Sequence, residues 1–237
     1  SDRGGRYIMI KLVRLEWKKN NVIMYIRNAV IATAILAVFM LMMAGELETN
    51  ETMQAYGRGM LGTSVELFVN MTYIVFTGVM LASFIVGSYS KKTMNLMFSY
   101  PIKRKKIVLS QMAAVWIFNM TAMIASKLLI YAVLLLARPY LGISAADITF
   151  GALSFWLDIL LRSAAMVSIA YIALPVGLKM RSSKATIVTA VIIVCFTQGN
   201  IGSVSLVNNI PFYGVLFVLS AVSVYLSVYN VERKDLL

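Results

Sequence analysis

The sequence predicts an all-α integral membrane protein with six transmembrane helices, and three observations support that fold class. Hydrophobic residues make up 60% of the 237 residues and charged residues only 14%, with a mean hydropathy of +0.80. A soluble domain of this length has no core large enough to bury so much apolar surface. Six apolar runs approach the roughly 20 residues that a helix needs to cross a bilayer, and Lys and Arg are concentrated in alternate connections between them.

The chain before the first span, residues 9–27, is predicted to form an N-terminal cytoplasmic helix in the inner membrane interface. Residues 1–8 are interpreted as residues added for expression, with Met9 as the native start. Asn20-Asn21 marks a bend into the first span.

The interfacial placement of this helix is predicted from an apolar face with basic residues beside it. Ile10, Val13 and Trp17 share one helical face. Three basic residues lie beside that face: Lys11, Arg14 and Lys18. The alternative is a short helix packed against the bundle.

The rest of the chain, residues 28–237, is predicted to form one six-helix transmembrane domain. The predicted spans cover residues 28–44, 67–87, 112–137, 150–177, 185–198 and 211–230. Seven basic residues precede the first span, six lie between the second and third, three between the fourth and fifth, and two follow the sixth. The alternate connections carry only Arg58 and Arg138. Because cytoplasmic loops hold the excess of Lys and Arg, both termini are predicted to be cytoplasmic.

The net charge of +12 is therefore mostly a topology signal. Basic loops on the inner face are attracted to anionic lipid headgroups. We expect membrane lipid as a partner of these charges and no nucleic acid.

The connection between the first two spans, residues 45–66, is predicted to be a solvated acidic outer loop. Its charged residues are Glu46, Glu48, Glu51, Arg58 and Glu66. At about 20 residues it is too short for a domain of its own. Capture of cationic cargo is the alternative.

The segment between the fifth and sixth spans, residues 198–211, is half apolar and contains several helix-breaking residues. Non-helical backbone at membrane depth is tolerated only where protein or a water-filled cavity covers it. We therefore expect a re-entrant element that dips back from the outer face. An ordinary tight outer loop is the alternative.

Three ionisable residues lie at similar membrane depth: Lys127 in the third span, and Asp158 and Arg162 in the fourth. Asp158 and Arg162 are four residues apart and share a helical face, which places Asp158 between two cations if these spans are neighbours. Because charge inside a membrane is costly, the cluster is predicted either to clamp the helices or to lie along a substrate or proton path.

The residue inventory excludes much catalytic chemistry. The chain has no histidine and one cysteine, Cys195, which is interpreted as a packing residue. Zinc sites built on His and Cys, and His-dependent nucleophile triads, therefore lack their parts. No GxxxxGK[ST] phosphate-binding loop occurs, so a partner chain must supply any ATP hydrolysis of that kind. We predict a chain that is not an enzyme, with no catalytic residue, metal or bound cofactor.

The cytoplasmic connection Tyr89–Gln111 reads YSKKTMNLMFSYPIKRKKIVLSQ and has an apolar centre between basic flanks. That centre consists of Met94, Leu96, Met97, Phe98 and Tyr100. Pro101 stops a helix there. A loop that only sets topology has no need of such a centre, so the pattern favours docking into a hydrophobic groove of a partner. A plain positive-inside loop is the alternative.

The features that carry a family resemblance are the six spans, the segment KLVRLEWKKN at residues 11–20, this loop and the C-terminal VERKDLL. By these features the chain resembles the permease subunits of type-2 ATP-binding-cassette exporters. The resemblance covers essentially all of Met9–Leu237. The residue order typical of the family's loop is matched by Thr93, Leu96, Met97, Ser99, Tyr100, Pro101, Lys103 and Arg104. The family's Glu near the loop start is absent, and Ser88–Ser90 stands there.

The resemblance implies a coupling helix, Met94–Tyr100, inserted into a separate ATPase subunit. The implied coupling residues are Thr93, Met94, Leu96, Met97, Phe98, Ser99, Tyr100, Pro101, Lys103 and Arg104. Two copies of that cytosolic subunit, which holds ATP and Mg²⁺, would drive a dimer of permeases, either a homodimer or a pair of close paralogues.

The resemblance also implies a path between the protomers, lined by the second and fifth spans. The polar candidates there are Asn70, Thr72, Thr77, Ser83, Thr186, Thr189, Thr197 and Gln198. Hydrogen bonding to neighbouring helices is the alternative role for such residues.

The cargo is the least constrained expectation. Sixteen Met and 11% aromatic residues suit a soft lining that tolerates varied cargo. The resemblance therefore suggests a small bacterial plasma-membrane exporter of amphipathic or antimicrobial peptides, bacteriocins or toxins. The alternatives are export of lipophilic drugs, lipids or ions, and a non-transporting immunity or sensor subunit.

Overall fold

The computed structural model describes residues 2–49, 60–90, 104–141, 153–198, 200–201, 204–205 and 210–233. In chain order the helices are α1 (Asp2–Lys19), α2 (Val22–Thr49), α3 (Met60–Leu81), α4 (Gly87–Ser90), α5 (Arg104–Leu141), α6 (Leu153–Ala170), α7 (Ala173–Met180), α8 (Ser183–Gln198) and α9 (Ile210–Arg233). A π-helical segment, Ala82–Val86, joins α3 to α4. One minimal antiparallel pair, β1 (Asn200–Ile201) with β2 (Val204–Ser205), interrupts this helical fold. The predicted helical class is confirmed.

Four apolar helical stretches are long enough to cross a membrane. They are Val22–Ala44, Leu61–Val86, Lys106–Tyr140 and Leu153–Met180, and they overlap the first four predicted spans. The regions predicted as the fifth and sixth spans contain shorter apolar helices, Ser183–Gln198 and Gly214–Tyr229. The long apolar helices are consistent with a multi-pass membrane protein.

The predicted outer loop at 45–66 is too long at both ends. Helix α2 continues to Thr49, and α3 already begins at Met60. Glu66 therefore lies inside α3, where it is only 4% exposed, and its prediction as a solvated loop residue is wrong. Residues 50–59 lie outside the described residues.

The predicted re-entrant segment is described only in part. Asn200–Ile201 and Val204–Ser205 form the strand pair, with Asn200 opposite Ser205 and Ile201 opposite Val204. Residues 199, 202–203 and 206–209 lie outside the described residues. A re-entrant path for this segment stays a prediction.

The chain divides into two compact units. The first comprises Ser1–Val22, Tyr73–Asn119 and Ala165–Leu237, and the second comprises Ile23–Thr72 and Met120–Ala164. Fully buried side chains of the first include Phe84, Ile85, Val108, Ile169 and Leu174. Those of the second include Met40, Met123, Lys127, Ile130 and Leu134. A lysine thus belongs to the core of the second unit.

The bend between α1 and α2 occurs where the sequence predicts it. Asn21 has a φ of +48°, in the left-handed region that Asn tolerates better than most residues. The Asn20 backbone N–H donates to the Glu16 carbonyl at 3.1 Å, which closes the last turn of α1.

The fourth predicted span is broken between α6 and α7. Pro175 has no N–H to donate to the Tyr171 carbonyl, and its ring crowds that carbonyl. The helix tightens just before it: the Tyr171 N–H donates to the Ser168 carbonyl and the Leu174 N–H to the Tyr171 carbonyl, each at 3.0 Å and three residues back. Pro175 therefore accounts for the break.

Candidate functional site

Most of the predicted coupling segment lies outside the described residues, which resume at Arg104, the first residue of α5. This applies to Thr93, Met94, Leu96, Met97, Phe98, Ser99, Tyr100, Pro101 and Lys103. Before the segment, Ser88 is buried and its hydroxyl donates to the Phe84 carbonyl at 2.9 Å. The helices that lead into and out of the segment are thus both described.

Helix α1 packs against α5 shortly after this segment. The Trp17 indole Nε1 donates to the Ala114 carbonyl at 3.1 Å. Gln111 Nε2 donates to Glu16 Oε1 at 3.3 Å, and Asn20 Nδ2 donates to Glu16 Oε2 at 3.2 Å. Glu16 is only 5% exposed. These contacts favour the packed-helix alternative, with the basic residues Lys11, Arg14 and Lys18 on the exposed face.

The roles of Glu16 and Gln111 were not predicted from the sequence. Glu16 is the one acidic residue in the basic segment at 11–20, and a lone charge of opposite sign in such a run is a signal for a specific partner. A buried carboxylate needs donors, and the amides of Gln111 and Asn20 supply them.

The second unit contains a buried ion pair between α3 and α5. Lys127 Nζ lies 3.1 Å from Glu66 Oε1, with side-chain exposures of 0% and 6%. The hydroxyls of Ser126 and Thr33 are 2.9 Å apart, and the Thr33 hydroxyl also donates to the Ala29 carbonyl at 2.8 Å. Two interhelical polar contacts therefore hold α5 at this level, one to α3 and one to α2.

The predicted pairing of Asp158 with Arg162 is present. Arg162 Nε lies 2.9 Å from Asp158 Oδ1, four residues back on α6. Their side chains are 35% and 31% exposed, unlike those of Lys127 and Glu66. The structure also places on Lys127 Nζ the carboxylate of Glu66, a residue predicted to lie in a loop.

Five of the predicted pathway hydroxyls donate to the backbone carbonyl four residues back in the chain. The donors are Thr72, Thr77, Thr186, Thr189 and Thr197, and the acceptors are Phe68, Tyr73, Ser182, Ala185 and Ile193. Thr77, Thr186 and Thr197 are fully buried, whereas Ser83 is exposed. A hydroxyl that donates within its helix has used its only proton. These contacts support a structural role, and the lining role stays a prediction.

Asn70 and Gln198 differ from these threonines. Asn70 is 2% exposed and Gln198 5% exposed. No donor among the described residues reaches Asn70 Oδ1 or Gln198 Oε1. Gln198 Nε2 lies 3.9 Å from Met166 Sδ, which is a weak acceptor.

The π-helical segment is a contact point for α8. Its first carbonyl, that of Ala82, accepts the Gly87 N–H five residues on and the Ser183 hydroxyl of α8 at 3.1 Å. A Cβ at Gly78 would collide with Ala190 of α8. These small residues allow the helices of the predicted second and fifth spans to approach closely, and π segments are frequent at functional sites.

Cys195 is exposed on α8, so it does not pack inside the single chain. Across the part of the chain that the structure describes, no group of three His, Cys, Asp or Glu residues is arranged to hold a metal ion.

Comparison with known proteins adds one distant relative. The chain is similar to YcbO, an uncharacterized protein of Bacillus subtilis (strain 168), with 26% identity over 241 residues that cover 95% of this chain and 100% of YcbO. No protein-family model matches the chain. No solved structure matches it.

Proposed function

We propose that this chain is the permease subunit of a bacterial ABC exporter, with six transmembrane helices and both termini in the cytoplasm. In this proposal two permease chains form the translocation path and two copies of a separate ATPase subunit, which hold ATP and Mg²⁺, drive it. The observation that carries the proposal is the sequence of residues 91–103, which is basic with an apolar centre. It connects two apolar helical stretches that are long enough to span, Leu61–Val86 and Lys106–Tyr140.

The contacts of α1 support this role for the segment. A coupling helix transmits motion only if the helix after it moves with it. Glu16 and Trp17 fasten α1 to Gln111 and Ala114, within three turns of the start of α5. The segment is therefore followed by a braced helix start that suits the transfer of force into the spans.

The α3–α8 contact supports the proposed path. Gly78 and Ala190 approach so closely that α3 and the π segment pack directly on α8. The predicted path uses these two spans. The absence of a phosphate-binding loop from the sequence requires that a partner chain hydrolyse the ATP.

Replacing Phe98 and Tyr100 together by Ala tests the coupling role. We expect the doubly substituted permease to lose co-purification with its proposed partner ATPase, and to lose stimulation of that ATPase. Tyr140→Ala is the matched control, because it removes an exposed aromatic ring near the opposite end of α5. Unchanged co-purification and stimulation in the doubly substituted chain contradict the coupling role.

The proposed cargo is an amphipathic or antimicrobial peptide. We expect ATP-driven uptake of such peptides into inverted vesicles that contain the permease and its ATPase. Vesicles with a catalytically inactive ATPase supply the background. Intact ATPase binding without uptake above that background rejects peptide export. The same uptake assay with lipophilic drugs, lipids or ions then distinguishes an exporter of other cargo from a non-transporting sensor or immunity subunit.

A further inference from the structure

We propose that Glu66 and Asn70 of α3 bind a buried water molecule beside the Glu66–Lys127 ion pair. The site lies within the second compact unit and is independent of the proposed transport function. Its ligand class is a small neutral molecule with two hydrogen-bond donors.

The helix places two buried acceptor residues on one face. Glu66 and Asn70 are four residues apart, so they lie one above the other on the same face of α3. They are 4% and 2% exposed. Lys127 Nζ donates to Glu66 Oε1 at 3.1 Å, whereas no donor among the described residues reaches Glu66 Oε2 or Asn70 Oδ1.

Buried acceptors such as these require a donor. An oxygen that leaves water without gaining a hydrogen bond carries the full cost of its desolvation, and the cost is larger for a charged oxygen. The two oxygens also carry partial charges of the same sign. One molecule that donates to both oxygens removes both penalties at once.

The charge balance selects water over a cation. A metal ion at Glu66 Oε2 would add positive charge to a buried site and would face the Lys127 ammonium on the same carboxylate. Water adds no charge, supplies two donors and gains the two polar partners that a buried water needs.

The substitution Asn70→Leu tests the site through the thermal unfolding temperature of the purified full-length chain. If water bridges the two oxygens, the variant removes one of its partners, and we expect a lower unfolding temperature. If no water is bound, the variant removes a partnerless acceptor, and the unfolding temperature stays the same or rises. Thr77→Val is the matched control, because its hydroxyl is buried in the same helix and bonded within it.

An experimental structure in lipid nanodiscs, at a resolution that shows ordered water, provides the second measurement. Density within hydrogen-bond distance of both Glu66 Oε2 and Asn70 Oδ1 supports the proposal. An Asn70 amide turned to donate directly to Glu66, or an empty site, overturns it. Stabilisation by Na⁺ or K⁺ over choline at constant ionic strength, lost in Glu66→Gln, identifies a cation and also overturns it.

Discussion

Replacing Lys127 by Met leaves the Glu66 carboxylate buried without its cation. Removing one member of a buried ion pair costs about 3–5 kcal/mol, because the remaining charge is buried without an opposite charge to compensate it. For a chain of this size, 1 kcal/mol corresponds to roughly 2–4 °C in unfolding temperature. We therefore expect Lys127→Met to lower the unfolding temperature in detergent, followed by tryptophan fluorescence, by about 6–20 °C.

The combination of Lys127→Met with Glu66→Gln separates the charge effect from the loss of packing. Replacing both charges removes the uncompensated carboxylate, so we expect the double variant to recover most of the lost stability. Lys184→Met is the control, because Lys184 is an exposed cation on α8. A buried, charge-compensating pair is contradicted if Lys127→Met is no less stable than Lys184→Met, or if the double variant is no more stable than Lys127→Met.

Three further substitutions test other contacts. Gly78→Val should lower folding yield and unfolding temperature because its Cβ would collide with α8, whereas Gly62→Val meets open space; equal effects contradict the close packing. Trp17→Phe keeps a ring but loses the hydrogen bond to Ala114, and should cost about 1 kcal/mol in chemical unfolding; no loss contradicts α1 docking. Asp158→Asn breaks a partly exposed ion pair and should lower the free energy of unfolding by less than about 1 kcal/mol. Loss of assembly in this variant would identify the cluster as a clamp between helices. Normal assembly with loss of transport would place it on the substrate or proton path.

The helical fold is predictable because it depends on local composition. Apolar runs and basic connections identify helices without any knowledge of which helices touch, and four of them have the length to span. The bend at Asn20-Asn21 is predictable for the same reason, since Asn tolerates the left-handed backbone found at Asn21. The break in the fourth span is also encoded locally, by Pro175, although the apolar run around it conceals the break.

The buried ion pair is not predictable in this way. A hydropathy pattern ends a span at its first charge, so Glu66 is assigned to the preceding loop. Its place in α3 depends on Lys127, which lies 61 residues further along the chain. The periodicity of residues within one helix gives no information about this contact between Glu66 and Lys127. Lys127 itself is identifiable because a lone cation inside an apolar run must find a partner.

The polar residues of the predicted path differ in how much of their hydrogen-bonding capacity is unused. A threonine hydroxyl that donates to its own helix, as those of Thr77 and Thr197 do, has no further proton to donate and can only accept a hydrogen bond. Such a residue is compatible with close packing in an apolar bundle. Gln198 keeps a buried oxygen with no donor in the described part of the chain, although its amide nitrogen contacts Met166. An acceptor of that kind suits a ligand that presents N–H groups, as peptide backbones do, so Gln198 is a better candidate than the threonines for contact with the proposed peptide cargo.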